Sequence, residues 1–135
     1  MAQISQPVVT SELKGSDPIP EAVYNFRITR VKYVDITNPS YKGAGKNNYI
    51  EVEFTVTGPA ENERYIGRKC WMNMSLAGEG AYRTKDLFEK VGIEEFNDTD
   101  QLINCEVAGV TVTRPGNPPK YPDPKTEIGK FQALI

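Results

Sequence analysis

The sequence predicts an all-β domain with one accessory helix. Three features predict it. Several stretches alternate apolar and polar residues with period two, clusters of Gly, Pro and Asn separate them, and one stretch alone has helical spacing. The clearest alternation is Lys69-Cys70-Trp71-Met72-Asn73-Met74-Ser75-Leu76. Cys70, Met72, Met74 and Leu76 make its apolar face. Trp71, the only tryptophan, shares the other face with Lys69, Asn73 and Ser75. A half-buried strand has this pattern.

Residues 1–20 carry Pro7, Gly15, Pro18 and Pro20 and read as an extended N-terminal arm, with Val8 and Val9 as candidate anchors. The domain proper is expected over 21–135. Its first strand runs from Ala22 to Ile36. Tyr24, Phe26 and Ile28 share one face, while Val31 and Tyr33 have the opposite parity, so a bulge or sharp bend is expected near Thr29. Residues 37–48 form a loop with Tyr41, Lys42 and Lys46. The second strand, Tyr49 to Thr57, sends Ile50, Val52, Phe54 and Val56 inward and Tyr49, Glu51, Glu53 and Thr55 outward. A polar turn over 58–67 leads to the Trp71 strand.

Gly78 to Gly80 then break the chain. Ala81 to Val91 is the helix, with Leu87, Phe88 and Val91 as its apolar stripe, Tyr82 as a candidate addition and Gly92 as its C-terminal cap. A fourth strand is expected over Leu102 to Thr113, with a change of phase at Gly109. A proline-rich loop over 114–127 carries Arg114, Lys120, Tyr121 and Lys125. Ile128 to Ile135 is the last strand. Five strands with a helix between the third and fourth is the order of a five-stranded OB-fold barrel. Another small β-sandwich or barrel with an accessory helix is the alternative.

The 135 residues suit one domain with a real core. The net charge of −2, from 16 Lys and Arg against 18 Asp and Glu, argues against duplex binding through overall positive charge. No apolar run reaches spanning length and the first residues do not form a signal peptide, so a cytoplasmic protein with no membrane partner is expected. There is no histidine, which removes the commonest general base and most zinc sites. The expectation is a protein that is not an enzyme and needs no metal or other cofactor. Cys70 and Cys105 read as small buried hydrophobes rather than a disulfide.

Charge is unevenly spread. Residues 22–48 hold five bases and one acid, residues 109–135 four bases and two acids, and residues 79–106 eight acids and three bases. In an OB-fold the ligand groove crosses strands two and three between the 1–2 and 4–5 loops. Single-stranded nucleic acid is held by aromatics that stack on bases and cations that meet phosphates. Trp71, Tyr41, Tyr49 and Tyr121 are the stacking candidates. Arg27, Arg30, Lys32, Lys42, Lys46, Lys69, Lys120 and Lys125 are the phosphate candidates. Glu51 and Glu53 project toward the same face and oppose this assignment unless they are paired. Gly43-Ala44-Gly45-Lys46 lacks the spacing and following helix of a phosphate-binding loop.

The chain resembles the small single-stranded DNA-binding proteins of tailed bacteriophages over about residues 21–135. The likeness rests on Val23-Tyr24-Asn25-Phe26-Arg27-Ile28, on the run from Ile50 to Gly58, on Gly67-Arg68-Lys69-Cys70-Trp71, on Leu87-Phe88-Glu89-Lys90-Val91-Gly92, and on Cys105-Glu106-Val107 with the lysine-bearing loop after it. It implies an OB-fold that binds single-stranded DNA, with RNA as an alternative, during phage replication or recombination in the host cytoplasm. Replication or recombination proteins are then the implied protein partners. The run from Lys130 to Ile135 reads as a strand rather than the acidic recruiting tail of many such proteins, which points to self-association through that strand or the arm. A virion or tail assembly module on a small β-barrel is the competing functional reading.

Overall fold

The computed structural model describes residues 18–37, 47–115 and 124–135. Among these residues, five antiparallel strands form one sheet in the order β3-β2-β1-β4-β5. They are β1 (Val23–Val34), β2 (Tyr49–Gly58), β3 (Lys69–Ser75), β4 (Glu106–Arg114) and β5 (Lys125–Gln132). One helix, α1 (Tyr82–Val91), follows β3 and precedes β4.

The expected change of phase in β1 is a bulge at Thr29. Ile28 pairs with Phe54 and Arg30 with Glu53, so Thr29 is the extra residue. Before it, Tyr24, Phe26 and Ile28 are fully buried; after it, Val31 is half-buried on the same inner side. Tyr24, Phe26, Phe54 and Phe131 pack as tilted and edge-to-face rings 5.6–6.2 Å apart through the core. Pairing of β2 with β3 is regular from Tyr49–Ser75 to Thr55–Lys69. Inward residues of both strands therefore meet directly, and Ile50, Val52, Phe54, Cys70, Met72 and Met74 are all buried.

Strands β3 and β5 are the two edges of the sheet. Among the described residues no backbone ladder joins them, but their side chains do. The Cys70 thiol donates to the Thr126 carbonyl at 3.0 Å, and the Ile128 N–H donates to Met72 Sδ at 3.3 Å. Helix α1 lies against these edges. The Thr84 hydroxyl donates to the Ser75 carbonyl at 2.5 Å, Asp86 Oδ2 accepts from the Phe131 N–H at 2.9 Å, and Leu87 is fully buried. Gly92 ends the helix in the left-handed region at φ 81°, where a side chain would be strained.

Several expectations are corrected. Tyr82 does not join the helix's apolar stripe and is 63% exposed; Thr84, two residues on and so turned to the other side of the helix, is buried instead. The fourth strand starts at Glu106 rather than Leu102, because Asp98 and Gln101 hold the preceding turn. The Asp98 carboxylate accepts from the Asp100 N–H at 2.8 Å, and the Gln101 side chain accepts from the Asp98 N–H at 2.9 Å. Cys105 thus falls in the turn, half-buried, while Cys70 is buried; both are free thiols. Strand β5 runs from Lys125 to Gln132 instead of Ile128 to Ile135, so Arg114 and Lys125 are strand residues and not loop residues.

The second change of phase also moves. Val110 pairs with Lys130 and Thr111 with Ile128, so the unpaired residue is Gly129 in β5. Gly109 is needed for a different reason: a Cβ there would lie 2.5 Å from Ile128 Cγ2 and 3.4 Å from the Phe26 ring. Ile19, expected in the arm, is buried in the core, and its N–H donates to Thr126 Oγ1 at 3.1 Å. Val8 and Val9 lie outside the described residues. No helix among the described residues is long and apolar enough to cross a membrane.

Gly109→Ala is expected to destabilise the fold by about 1–3 kcal/mol, the usual cost of forcing extra volume into a packed core. Urea unfolding measures it, and an unchanged midpoint would mean that the sheet relaxes around the methyl group.

Candidate nucleic-acid interface

The outward surface of β1, β2 and β3 is a set of cross-strand rows. Residues directly opposite one another in antiparallel pairs point to the same side. Register gives Arg27–Thr55–Lys69, then Arg30–Glu53–Trp71, then Lys32–Glu51–Asn73, then Val34–Tyr49–Ser75. Without the Thr29 bulge, Arg27 and Arg30 would fall on opposite faces, since alternation has period two. With it, Arg27, Arg30 and Lys32 all face outward.

Trp71 sits in the middle row and is 50% exposed. It is not covered by a loop or helix among the described residues. The Arg30 guanidinium lies over its ring, 5.9 Å from the centroid. That contact orients the indole and holds a cation beside it. Half of the side chain remains open to solvent.

Glu53, one of the two acids that oppose this assignment, is compensated. It points outward from β2, yet it is 2% exposed, because its neighbours close over it. The Thr29 hydroxyl donates to its Oε1 at 2.6 Å, and Lys69 Nζ lies 3.0 Å from the same oxygen. Thr29 and Thr55 share a further hydroxyl contact at 2.9 Å. Burial pushes the Glu53 carboxyl up, but the bonds from Thr29 and Lys69 and the charges of Lys69 and Arg30 outweigh it. The group is held below the usual carboxylate range. Glu53 is therefore a buried, compensated anion that a phosphate on the surface does not meet directly. Glu51 is half-buried in the next row, between Lys32 and Asn73.

Compared with known proteins, the chain matches no family model and no curated protein. The assignment of this face therefore rests on its own geometry.

Five of the twelve expected binding residues, Tyr41, Lys42, Lys46, Lys120 and Tyr121, lie outside the described residues. Of the others, Trp71, Arg30, Lys32, Lys69, Arg27 and Tyr49 share the one outward face. Arg27 is held by Glu106 at 3.2 Å, at the border with β4. Tyr49 is half-buried at the far end of β2. Lys125 is on β5, where it pairs with Glu127 at 3.2 Å.

Sequence reading missed Thr29 and Glu127 as organising residues. For Thr29 the signal was present, since it stands at the change of phase. For Glu127 there was none beyond Lys125 two residues before it, because Arg83 and Arg114 come from other elements. Arg83 of α1 and Arg114 of β4 each reach its Oε2 at 3.2 Å.

Glu53→Gln is expected to cost roughly 1.5–3 kcal/mol near neutral pH, the range for hydrogen bonds to a charged group. The folded pKa is lowered, so the carboxylate's stabilisation is complete above its unfolded pKa and is lost as pH falls through the folded one. The difference between wild type and Glu53→Gln should thus shrink on acidification. Urea unfolding at a series of pH values checks this; a difference independent of pH would remove the charge from the account.

Burial pushes the Cys70 thiol up to about 12, and it is raised also at Cys105, where burial is partial. An alkylating reagent at mildly alkaline pH should label Cys105 well before Cys70, read by mass spectrometry.

Proposed function

We propose that the chain is a sequence-tolerant single-stranded DNA-binding protein on a five-stranded OB-type barrel, acting in phage DNA replication or recombination. The barrel reading is supported by the strand order β3-β2-β1-β4-β5, by the helix between β3 and β4, and by the side-chain contacts that bring β3 beside β5. The observation that carries the functional reading is the row Arg30–Glu53–Trp71. An aromatic half open to solvent stands beside a guanidinium and an ammonium, and the carboxylate between them is buried and compensated.

The mechanism follows from the two handles of a single strand. A base stacks on the open part of the Trp71 indole, which needs no particular base identity because every base has a π face. The phosphates flanking that base meet Arg30 on one side and Lys69 or Lys32 on the other. A duplex keeps its bases stacked on one another and so gains little from Trp71. No proton transfer or metal is required for this work.

Titration with single-stranded and duplex oligonucleotides at two salt concentrations tests the reading. Tryptophan fluorescence should be quenched by the single strand, with affinity falling steeply as salt rises. Trp71→Ala should lose about 1–3 kcal/mol of binding, the value of one base stacked on an aromatic. Equal affinity for both forms, or none, would overturn the reading. Assembly into a ring or tube with no affinity for oligonucleotides would support an assembly module in its place.

A further inference from the structure

A second cluster of cations lies across the seam from Trp71, and it is not electrically balanced. Three basic side chains from three elements converge on one carboxylate. Arg83 Nη1 of α1 and Arg114 Nε of β4 each lie 3.2 Å from Glu127 Oε2, and Lys125 Nζ lies 3.2 Å from Oε1. No other carboxylate among the described residues pairs with any of the three. Among the described residues the cluster therefore sets three bases against one acid, at a site where Glu127 and Arg83 are mostly covered.

Three like charges around one anion repel one another, and a second anion placed among them relieves that repulsion. The donors for it are present. Arg114 uses only its Nε toward Glu127, which leaves the terminal nitrogens of a guanidinium about half exposed. Lys125 is more exposed still.

The position of the cluster says which anion fits. The contacts of Cys70 with Thr126 and of Met72 with Ile128 run β5 alongside β3 in the same direction. Ile128 points into the core, so alternation turns Glu127 outward, as it turns Trp71 outward next to Met72. Lys125 and Glu127 flank Thr126 just as Lys69 and Trp71 flank Cys70. Alternation thus puts Trp71 and the Glu127 cluster on the same outward side of the β3–β5 seam.

We infer that Arg114, Lys125 and Arg83, oriented by Glu127, take the phosphodiester backbone of the single strand where it leaves Trp71 across the β3–β5 seam. The inference rests on the proposed single-strand binding and extends its footprint onto a helix and the β4–β5 pair. Glu127 acts as a positioning residue, and the arginines and lysine make the contact. Because a phosphate is common to all four nucleotides, this part of the footprint adds affinity without sequence preference.

The test is the salt dependence of binding, measured on the full chain with mixed-sequence single strands. Each lost phosphate contact lowers the slope of log affinity against log salt by about 0.7 for a single strand. The slope does not depend on the fraction of active protein, so a merely structural role for these residues does not imitate it. Arg114→Ala is expected to lower the slope by about 0.7, and the double variant Arg83→Gln with Arg114→Ala by about twice that. Affinity should fall by the same factor on dT-rich and dA-rich strands. Arg114→Lys, which keeps the charge, should restore most of the slope. Slopes equal to wild type in both variants would overturn the inference while leaving Trp71-centred binding intact. No binding by wild type at any salt would be the distinct failure of the single-strand reading, and this inference would fall with it. Thermal stabilisation of wild type but not Arg114→Ala by inorganic tripolyphosphate, together with an unchanged slope, would assign the cluster to free phosphates and so also overturn it.

Discussion

The outward face of β1 to β3 depends on one extra residue. An uninterrupted β1 would alternate strictly, and its basic residues at odd and even positions would be divided between core and surface. The bulge at Thr29 breaks that alternation once. Phe26 and Ile28 then face the core on one side of it and Val31 on the other, while Arg27, Arg30 and Lys32 all face out. The bulged residue also has a second role. Its hydroxyl reaches Glu53 Oε1 at 2.6 Å and meets Thr55 at 2.9 Å, so the bend that aligns the cations also helps to hold the buried carboxylate. Strand geometry and surface charge are set by the same residue.

Two carboxylates, Glu53 buried and Glu127 partly covered, organise the cations. Glu53 is bound by Lys69, with Arg30 nearby; Glu127 is bound by Arg83, Arg114 and Lys125. In each case the acid is covered, while Lys69, Arg114 and Lys125 stay about half exposed or more. Burial raises the Glu127 carboxyl, but its bonds to Lys125 and Arg83, the charge of Lys125 and the bond to Arg114 bring it below the usual range. Both groups therefore stay ionised and keep their partners oriented. A chain with net charge −2 can present cations on one face in this way, since Glu53 and Glu127 lie under their own counterions.

The β3–β5 seam joins the two halves of this surface. It is made by sulfur: a thiol on Thr126 and a thioether under the Ile128 N–H. Sulfur is a weak hydrogen-bonding partner but a good filler between strand edges that exchange no ladder among the described residues. Helix α1 covers the end of this seam through Thr84, Asp86 and Leu87, and that placement brings Arg83 to Glu127.

Period-two alternation by itself determined the five strands, the inward residues of β2 and β3, the outward position of Trp71 and the need for a bulge near Thr29. These are local properties, because a pleated strand turns successive side chains to opposite sides wherever it lies. The helix and its glycine cap were legible from another local pattern, the helical spacing of Leu87, Phe88 and Val91 ahead of Gly92. The start of β4 was not, since the side chains of Asp98 and Gln101 compete with the strand for backbone bonds. Nor was the role of Gly109, which depends on how closely Ile128 and Phe26 approach it. Only the tertiary structure decided that Glu53 is compensated rather than repulsive, and that Arg83, Arg114 and Lys125 meet at Glu127. Burial and ion pairing join residues far apart in the chain, and no local pattern records which distant side chains will close over a charge.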